Sequence, residues 1–600
     1  NIGDFDNMII LGVNDGHNAS AALLVDGELI SAISEDRPSR QSTRSGFPFG
    51  AIEQCLKLGG IKKSDVDHLA ISTLGLPPKY FWVPRENFSY DDYRREQNEY
   101  WAPRFDNLKA PDYLDVFNDK IDKQRFIYDQ SLIKNEEDVE GMLEARLRHA
   151  ETYMGLNRKS ISVHDHHACH AYYGWLAHPI KNRDLLIFTA DGGGDKSNGT
   201  VWVAKSGEVI QEISRTSKCN IGRMYRYATL ILGMKQFEHA YKVMGLAPYS
   251  NKNIGSKAYK IYKETLKVDG LDFDYQVKPK DHYFYFKEKL DGLRFDGIAW
   301  GIQKRTEELL AKWVNNGIDI TGIKDVVFSG GVAMNIKANK TIWESPNVDS
   351  IFVPPGSGDE SISIGAAFKV AVNNPSCASE SIKEIMPFKS VYLGMSYTND
   401  EVQNQINAMN LSDDYVVRKV QPKDVAVILA SGDVVARFFG RGEFGPRALG
   451  NRSIIADPRN PKVVQVINKM IKQRDFWMPF AASILEERAK DYIINPKGLI
   501  GDYMTVAFDS TELAQKDLPS GLHPYDMTCR PQIVSYEKNS EYHTLIKAFE
   551  SITGVGALLN TSFNLHGEPI VASPKDAIKT FINSGLKHVL IQDFLISKLK

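Results

Sequence analysis

Apolar runs alternate with polar turns at the start of the chain, in a pattern typical of short β-strands. The runs at 8–13, 20–25 and 29–34 are separated by the turns NDGHN and DGE. A stretch that closes at Gly59-Gly60 then predicts a helix, and the run at 66–73 predicts another strand. This succession of a hairpin, a helix and a strand favours an α/β layer structure.

Two later segments repeat a strand followed by a glycine-rich turn. The run at 184–190 ends in Asp191 and the sequence GGGD, before a further pair of strands. The strand at 325–329 ends in Gly330-Gly331, and we expect a helix to begin near Val332, where its dipole favours an anion. Two halves of this kind predict a duplicated nucleotide-binding fold.

Residues 76–157 interrupt this succession with a segment rich in Tyr, Trp, Arg and acidic residues. We expect this insert to form either a surface that helps to select a substrate or a solvated helical cap without a chemical role. A change of composition between about 375 and 400 indicates a domain boundary. The expected domains are therefore residues 1–385, with the insert 76–157, and residues 386–600.

Four histidines fall within seven positions, at His164, His166, His167 and His170. A short β-branched run and then Asp165 precede the last three, which predicts a helix capped by that aspartate. His166 and His170 are one helical turn apart and can share a metal ion, while His167 with His170 is a competing pair. The alternative is a set of stacked histidines on a partly exposed helix.

Bulk composition excludes several classes of protein. Acidic and basic residues nearly cancel, to a formal charge of −2, which argues against a nucleic-acid partner. The chain has no signal-peptide pattern and no run of about 18 apolar residues, so we expect a cytoplasmic protein without a membrane partner. The cysteines form neither a disulfide framework nor a CxxC pair, and Cys169 is expected to be buried. They are Cys55, Cys169, Cys219, Cys377 and Cys529.

Eight segments, taken in order, resemble the O-carbamoyltransferases of the nodulation-factor, cephamycin and tobramycin type. The resemblance spans nearly the whole chain and is carried by HNASAALLVDG at 17–27, HHACH at 166–170, KVMGLAPY at 242–249, SGGVAMN at 329–335, PPGSGDESISIGAAF at 354–368, EFGPRALGNRSIIADPR at 443–459, DFWMPFAAS at 475–483 and LNTSFNLHGEPIV at 559–571. It implies an N-terminal actin/sugar-kinase-like domain, similar to threonylcarbamoyl-transferring proteins, and a YrdC-like C-terminal α/β domain.

The resemblance implies an ATP-dependent O-carbamoyltransferase. Carbamoyl phosphate and ATP, with Mg²⁺, would form carbamoyl adenylate in the C-terminal domain. The N-terminal domain would then pass the carbamoyl group to a hydroxyl of a sugar or natural-product acceptor, with His17 as the general base. The resemblance also implies one divalent metal, Fe²⁺ by preference with Mn²⁺ or Zn²⁺ as alternatives, bound by His166, His170, Asp191 and Asp359. A homodimer is one option for its assembly.

Substrates with this much negative charge require several fixed cations. The resemblance assigns Lys472 and Arg474 to a nucleotide clamp and Arg530 to a further catalytic position, and Arg441 and Arg452 are additional candidate cations. The residues expected to bind nucleotide or carbamoyl phosphate are Gly330, Gly331, Asn335, Arg447, Ser483, Asn560, Thr561, Ser562 and Asn564. His566 is assigned no role.

Three other functions remain open from the residues alone. A sugar-kinase-type ATP phosphotransferase would use the glycine loops equally well, but it leaves the histidine-rich helix and the arginine-rich C-terminal third unexplained. A tRNA-modifying threonylcarbamoyl enzyme is disfavoured by the near-neutral charge and the aromatic insert. The third alternative is a non-catalytic binding module controlled by ATP and metal.

Overall fold

A computed structural model describes residues 8–180, 182–373, 388–472 and 475–599. The chain forms two units, one within Asn1–Glu35 and Thr43–Lys389 and the other within Asp36–Ser42 and Ser390–Lys600. Cys377 and Arg474 lie outside the described residues. Cys55, Cys169, Cys219 and Cys529 are buried thiols, as expected for Cys169.

The strands predicted at the start of the chain are confirmed as part of a five-stranded sheet. They are β1 Ile9–Asn14, β2 Ser20–Val25, β3 Glu28–Ser34 and β4 His68–Ser72, and β5 Ile161–His164 completes the sheet. The sheet order is β3-β2-β1-β4-β5, and β1 pairs antiparallel with β2 and parallel with β4. The predicted helix before β4 runs over Phe49–Gly59 and ends at Gly60, in a left-handed conformation with a φ of 65°.

A second five-stranded sheet repeats this arrangement. Its strands are β6 Leu185–Gly194, β7 Ser197–Ala204, β8 Gln211–Thr216, β11 Asp325–Ser329 and β12 Ser350–Phe352, and the strands β9 Leu266–Asp269 and β10 Asp272–Tyr275 pair separately. The order β8-β7-β6-β11-β12 matches the first sheet strand for strand, with the same directions around β6. The α/β class and the duplicated, actin/sugar-kinase-like first unit are therefore confirmed.

Equivalent helices follow the last strand of each sheet and pack against each other. The histidine helix, His166–Ala177, follows β5, and the helix that we call the C-half helix, Ile362–Asn373, follows β12. A Cβ on Gly365 would lie 1.8 Å from the Cys169 carbonyl oxygen, so this crossing requires glycine. A Cβ on Gly12 of β1 would similarly lie 1.9 Å from the Ser363 carbonyl oxygen.

The helix expected near Val332 begins later. Gly331–Met334 is a 3₁₀ turn, and the α-helix spans Ile336–Glu344. Asn335 caps this helix, since its side-chain oxygen accepts from the Ala338 N–H at 3.0 Å. The other helices of this unit outside the insert are Ile221–Ile231, Ala240–Leu246, Lys252–Lys263, His282–Lys289 and Phe295–Thr321.

The insert 76–157 connects β4 to β5 and has an aromatic core of its own. Tyr93, Tyr100 and Tyr113 are almost completely buried, among Phe88 and Phe117. Much of the aromatic content that favoured a recognition surface is therefore explained by packing within the insert. Its α-helices are Lys79–Trp82, Tyr90–Arg95, Ala102–Phe105, Tyr113–Val116 and Val139–Met154.

One buried ion pair attaches the insert to the turn after β1. Arg146, on the helix Val139–Met154, donates to the two carboxylate oxygens of Asp15 at 2.8 and 2.6 Å. The same guanidinium donates to the Thr73 carbonyl at 3.0 Å. Both side chains of the pair are 1% exposed, so the loss of either partner would leave a buried charge without its counterion.

The second unit is built on an eight-stranded mixed sheet. Its strands are β13 Tyr415–Lys419, β14 Val435–Phe438, β15 Arg452–Ala456, β16 Ala481–Leu485, β20 Gln532–Val534, β21 Ala557–Ser562, β22 His588–Ile591 and β23 Phe594–Lys598. They follow the order β13-β23-β22-β14-β15-β21-β16-β20. A small sheet contains β17 Ile493–Ile494, β18 Phe508–Ser510 and β19 Thr528–Cys529.

Helices cover this sheet, and an early part of the chain joins it. The helices are Asp36–Ser39, Asn399–Ala408, Pro422–Ala430, Val463–Ile467, Ala489–Tyr492, Glu512–Asp517, Ser540–Thr553 and Pro574–Ile582. In the segment Asp36–Ser42, Arg40 donates to the carbonyls of Ile570 and Pro569 at 2.6 and 2.8 Å, and Arg37 donates to the Gly445 carbonyl at 2.7 Å. This segment is therefore an integral part of the second unit.

Candidate active site

The histidine helix begins as its sequence predicts. Asp165 caps it by accepting from the Ala168 N–H at 2.8 Å, and Arg215 binds the same carboxylate through two nitrogens, each at 3.0 Å. His166 and His170 are both buried, and their ring centroids are 4.8 Å apart. The capped first turn thus directs two imidazoles to one side of the helix.

Two carboxylates from distant parts of the chain complete a cluster with these imidazoles. His170 Nε2 lies 3.5 Å from Asp191 Oδ2 and 3.6 Å from Asp359 Oδ1, and His166 Nε2 lies 3.6 Å from the same Asp359 oxygen. All four potential ligand atoms are within 4.8 Å of one another. Asp191 belongs to β6, while Asp359 opens the 3₁₀ turn Asp359–Ser361 before the C-half helix.

The chemistry of this cluster fits a divalent cation. The Nε2 atoms of His166 and His170 are buried and have no hydrogen-bond partner among the described residues. Their distances to the carboxylates are too long for hydrogen bonds. Two ligands bound at about 2.1 Å from one ion would lie roughly 3 to 3.4 Å apart, so a small adjustment would allow all four to bind it.

The pKa values of the cluster indicate that it favours positive charge. Burial alone would lower the pKa of His170, but the carboxylates of Asp191 and Asp359 raise it to about 9. Burial would raise the pKa of the Asp191 carboxyl, but His170 and His166 hold it well below its usual range. In the absence of a metal, a proton on His170 therefore supplies the positive charge that a metal ion would bring to these four side chains.

Neighbouring groups that the sequence did not indicate fix these side chains. Thr73 Oγ1 lies 3.2 Å from His166 Nδ1, which leaves Nε2 for the cluster. The Gly331 N–H donates to Asp191 Oδ2 at 2.8 Å. The Asp195 carboxylate accepts from the backbone N–H groups of His166 and Gly75 at 2.7 and 2.8 Å. The sequence places Asp195 in the GGGD turn but indicates no role for it, and no local sequence pattern distinguishes Thr73.

The two other histidines of the run lie outside the cluster. His167 Nδ1 is 2.8 Å from Thr189 Oγ1, and His164 Nε2 is 2.7 Å from Ser162 Oγ. Burial lowers the pKa of His167 to about 3 and that of His164 to about 4, so both are neutral at physiological pH. Their contacts are those of side chains that hold the helix and strand in place.

His17 is exposed in the otherwise mostly buried turn that follows β1. The Asn14 side-chain amide donates to the carbonyls of His17 and Asp359, at 2.8 and 3.0 Å, and so joins this turn to the cluster. The His17 ring centroid is 6.0 Å from that of Phe237. The backbone of this turn is therefore joined to that of Asp359, and the His17 imidazole neighbours the Phe237 ring.

The third glycine loop also borders the cluster. Gly330 has a φ of 94°, and a Cβ there would lie 2.3 Å from the Ala190 carbonyl oxygen, so the loop requires glycine. The amide of Asn335 exchanges two hydrogen bonds with Gln303, each at 3.0 Å, besides capping its helix. Asn335 therefore has structural contacts, and the nucleotide contact expected of it stays a prediction.

In the second unit, Lys472 is buried beside the polar end of β21. Its Nζ lies 2.9 Å from Ser562 Oγ and 2.5 Å from Asn564 Oδ1. Ser562 also donates to this Asn564 oxygen at 2.7 Å. Three of the expected residues are therefore brought together around one ammonium group. Arg474 lies outside the described residues.

A second polar group lies inside the same sheet. Ser483 Oγ accepts from Asn560 Nδ2 at 3.0 Å and donates to Gln532 Oε1 at 2.7 Å. Asn560 Oδ1 is buried without a hydrogen-bond partner among the described residues. Thr561 is mostly buried next to Asn560. The sequence did not indicate Gln532 as a member of this group, although it lies two residues after Arg530.

The arginines of this unit differ in their surroundings. Arg452 is buried, and its guanidinium donates to the carbonyls of Phe439, Asn451, Met395 and Gly440. It is therefore a structural residue, which corrects the expectation of a phosphate-binding cation. Arg441 likewise donates to the Gly394 and Leu393 carbonyls. Arg447 and Arg530 are half-buried.

Family profiles cover almost all of the chain. The profile of the carbamoyltransferase N-terminus matches residues 9–368, and that of the carbamoyltransferase C-terminus matches residues 426–598. The chain belongs to the carbamoyltransferase family. It is therefore an enzyme that transfers carbamoyl groups, as the resemblance predicted.

Several known proteins are similar to this carbamoyltransferase. An uncharacterized protein of Methanocaldococcus jannaschii is 32% identical, over 74% of this carbamoyltransferase and 74% of that protein. Nodulation protein NolNO of Sinorhizobium fredii is 29% identical, over 97% of this chain and 79% of that protein. The solved component A of (R)-2-hydroxyglutaryl-CoA dehydratase from Acidaminococcus fermentans is 14% identical, covers 60% of this chain and 97% of its own, and has a TM-score of 0.31.

Membrane insertion through a helix has no support in this carbamoyltransferase. Among residues 8–180, 182–373, 388–472 and 475–599, every helix is too short or too polar to cross a bilayer.

Proposed function

We propose that this carbamoyltransferase forms carbamoyl adenylate from carbamoyl phosphate and ATP and then carbamoylates a hydroxyl of a small sugar or natural-product acceptor. The observation that supports it best is the convergence of His166, His170, Asp191 and Asp359 in one cluster of two buried imidazoles and two half-buried carboxylates. We assign group transfer to the first unit and adenylate formation to the second, as a YrdC-like domain. This assignment gives one step of the reaction to each side of the domain boundary expected at residue 385.

The adenylate step proceeds in two balanced parts. Water cleaves carbamoyl phosphate to carbamate and phosphate, and a carbamate oxygen then attacks the α-phosphorus of ATP and displaces pyrophosphate. Lys472 supplies a positive charge for the phosphate groups from a site that excludes most water, where its attraction for anions is strong. Ser562 and Asn564 hold the ammonium in place, and Arg447, Arg474 and Arg530 are proposed to bind the remaining charge.

The transfer step requires a general base and a polarised donor. His17 takes the proton of the acceptor hydroxyl as its oxygen attacks the carbamoyl carbon, and AMP leaves. The Asn14 amide keeps the turn of His17 beside Asp359, so that base and donor are close together. The glycine loop at Gly330-Gly331 lies along the cluster and is proposed to receive the nucleotide.

We propose Fe²⁺ as the metal of the cluster, with Mn²⁺ or Zn²⁺ able to replace it, because two imidazoles and two carboxylates suit all three. When bound, such an ion supplies Lewis-acid polarisation of a phosphate or carbonyl oxygen. The side chains of His166, His170, Asp191 and Asp359 would bind it, while Thr73 and Gly331 hold two of these ligands in position.

The decisive experiment is release of pyrophosphate by the purified chain given ATP, Mg²⁺ and carbamoyl phosphate, without an acceptor. We expect release that needs both substrates and that falls by about 10²-fold or more in Lys472→Ala, since one fixed charge at a transferring phosphate has effects of this size. Lys419→Ala, on the distant edge strand β13, is the matched control and should leave the rate unchanged.

The products distinguish this proposal from the alternative. Formation of ADP in place of pyrophosphate would contradict adenylate chemistry and favour a sugar-kinase-type phosphotransferase. Pyrophosphate release that is equal in wild type and Lys472→Ala would remove Lys472 from the mechanism.

A further inference from the structure

Two arginines lie one turn apart on the helix Ile221–Ile231, which we call the arginine helix, beside the glycine turn that follows Asp191. Arg223 Nε donates to the Gly192 carbonyl at 2.9 Å. A Cβ on Gly222 would lie 3.1 Å from the Gly192 nitrogen, so the first turn of the arginine helix contacts this loop directly. Arg223 is therefore at the edge of the carboxylate and imidazole cluster.

Arg226, on the same helix, contacts an aromatic ring that also neighbours the proposed general base. Its Cζ lies 4.6 Å from the ring centroid of Phe237, which is also 6.0 Å from the His17 ring. A Cβ on Gly192 would lie 4.0 Å from Arg226 Nη1. The guanidinium is thus close both to the glycine turn and to the Phe237 ring that neighbours His17.

Neither of these two charges has a carboxylate counterion in the part of the chain that the structure describes. Among the described residues, neither Arg223 nor Arg226 forms an ion pair, although Arg226 Nε is buried and without a hydrogen-bond partner. Like charges one turn apart on a helix repel each other, and a buried donor without a partner carries a desolvation cost. An anion bound between them would remove both penalties and could accept from both guanidinium groups.

We propose that Arg223 and Arg226 form an oxyanion subsite, which takes a phosphate group at the junction of the cluster and the His17 turn. This inference rests on the proposed function, which assigns carbamoyl transfer to the neighbouring cluster and to His17. Two sources of phosphate are consistent with this position. The group is either the phosphate of the carbamoyl adenylate, from the cluster side, or a phosphate carried by the acceptor, from the Phe237 side.

Binding of inorganic phosphate to the full chain, measured by calorimetry after removal of metal with a chelator, tests the subsite. We expect about 10-fold weaker binding in Arg223→Gln and in Arg226→Gln, and about 100-fold in the double variant, since each loses a charge-assisted hydrogen bond. Glutamine retains helix propensity, and unchanged thermal unfolding would show that the fold is intact. Arg148→Gln, at an exposed arginine of the insert, is the matched control.

Equal phosphate affinity in the wild type and the double variant would overturn the proposal. If the double variant binds phosphate more weakly, competition with AMP identifies the source of the phosphate group. AMP that displaces the bound phosphate indicates the adenylate, while AMP and phosphate bound together indicate a phosphorylated acceptor. The measurement needs neither turnover nor Lys472, and phosphate binding to this subsite should persist in Lys472→Ala. Failure of the subsite and failure of adenylate chemistry are therefore separate results.

Discussion

His170 has an imidazole nitrogen directed at two carboxylates, and this arrangement connects metal binding with protonation. Without a metal, Asp191 and Asp359 raise the pKa of His170 to about 9 against the effect of burial. Because the pKa in the folded chain exceeds the usual value of 6.5, protonated His170 stabilises the metal-free fold fully below about pH 6.5, and this contribution is lost as the pH rises through about 9. A metal ion must displace this proton.

We therefore expect metal binding to release about one proton per ion at pH 7.5 and to strengthen as the pH rises from 7 to 9. Calorimetric titration with Co²⁺ in buffers of different ionisation enthalpy measures the number of protons. The variant His170→Asn should bind weakly and without this release. An absence of proton release in the wild type would show that His170 is neutral in the metal-free protein.

Thr73 provides a second test within the cluster. Thr73→Val removes the hydroxyl that lies 3.2 Å from His166 Nδ1 and keeps the β-branched shape at a residue with a φ of 70°. Loss of such a supporting hydrogen bond should weaken metal affinity by about 10- to 100-fold. Thr189→Val, which removes the partner of His167, should leave the affinity unchanged. Equal affinities in the two variants would contradict a role for Thr73 in orienting His166.

The crossing of the histidine helix and the C-half helix determines how their ligands meet. His166 and His170 lie on the first helix, and Asp359 immediately precedes the second. The helices approach closely because Gly365 has no side chain to separate them. Their separation is thus set by packing, and the distances between the ligand atoms depend on it.

Gly365→Ala should separate these helices, with a cost of about 1–3 kcal/mol in the free energy of unfolding from overpacking, and should also weaken metal affinity. Gly301→Ala is a control in another helix pair, since a Cβ there would lie 2.7 Å from the Tyr259 nitrogen. Urea unfolding and Co²⁺ titration measure the two effects. We expect both variants to be destabilised but only Gly365→Ala to lose metal affinity; equal losses of affinity would contradict the packing argument.

Local patterns predicted local structure well. The alternation of apolar and polar residues gave β1 to β4, and the Asp165 cap with the spacing of His166 and His170 gave the histidine helix. Asp191 and Asp359 came from family resemblance, because no local spacing connects residues so distant in the chain. The aromatic insert was ambiguous, since composition does not distinguish a core from a recognition surface. Arg452 was misassigned because a sequence does not show four backbone carbonyls around one guanidinium.

The second unit is discontinuous along the polypeptide, because it includes the segment Asp36–Ser42, which precedes most of the first unit. A fragment of residues 390–600 lacks Arg37, Arg40 and their hydrogen bonds to three carbonyls. Each charge-assisted hydrogen bond contributes about 1.5–3 kcal/mol. The C-terminal sequence alone is therefore an incomplete folding unit.

We expect this fragment to unfold at a lower urea concentration than the same unit within the full chain, and a synthetic peptide of residues 36–42 to raise its midpoint. A peptide with Arg40→Ala should have a much smaller effect, because it loses two of these hydrogen bonds. A midpoint that neither peptide changes would show that the fragment is complete without the segment.

The repeated sheet order has a consequence for how the cluster is assembled. In the first half, the histidine helix contributes only imidazoles, and in the second half Asp191 and Asp359 contribute only carboxylates. Asp15 and Asp191 occupy equivalent positions, each two residues after the last parallel pairing of β1 or β6, yet Asp15 pairs with Arg146. Neither half, taken singly, contains this donor set. The cluster is therefore a shared product of the two repeats, one of which supplies nitrogen ligands and the other oxygen ligands.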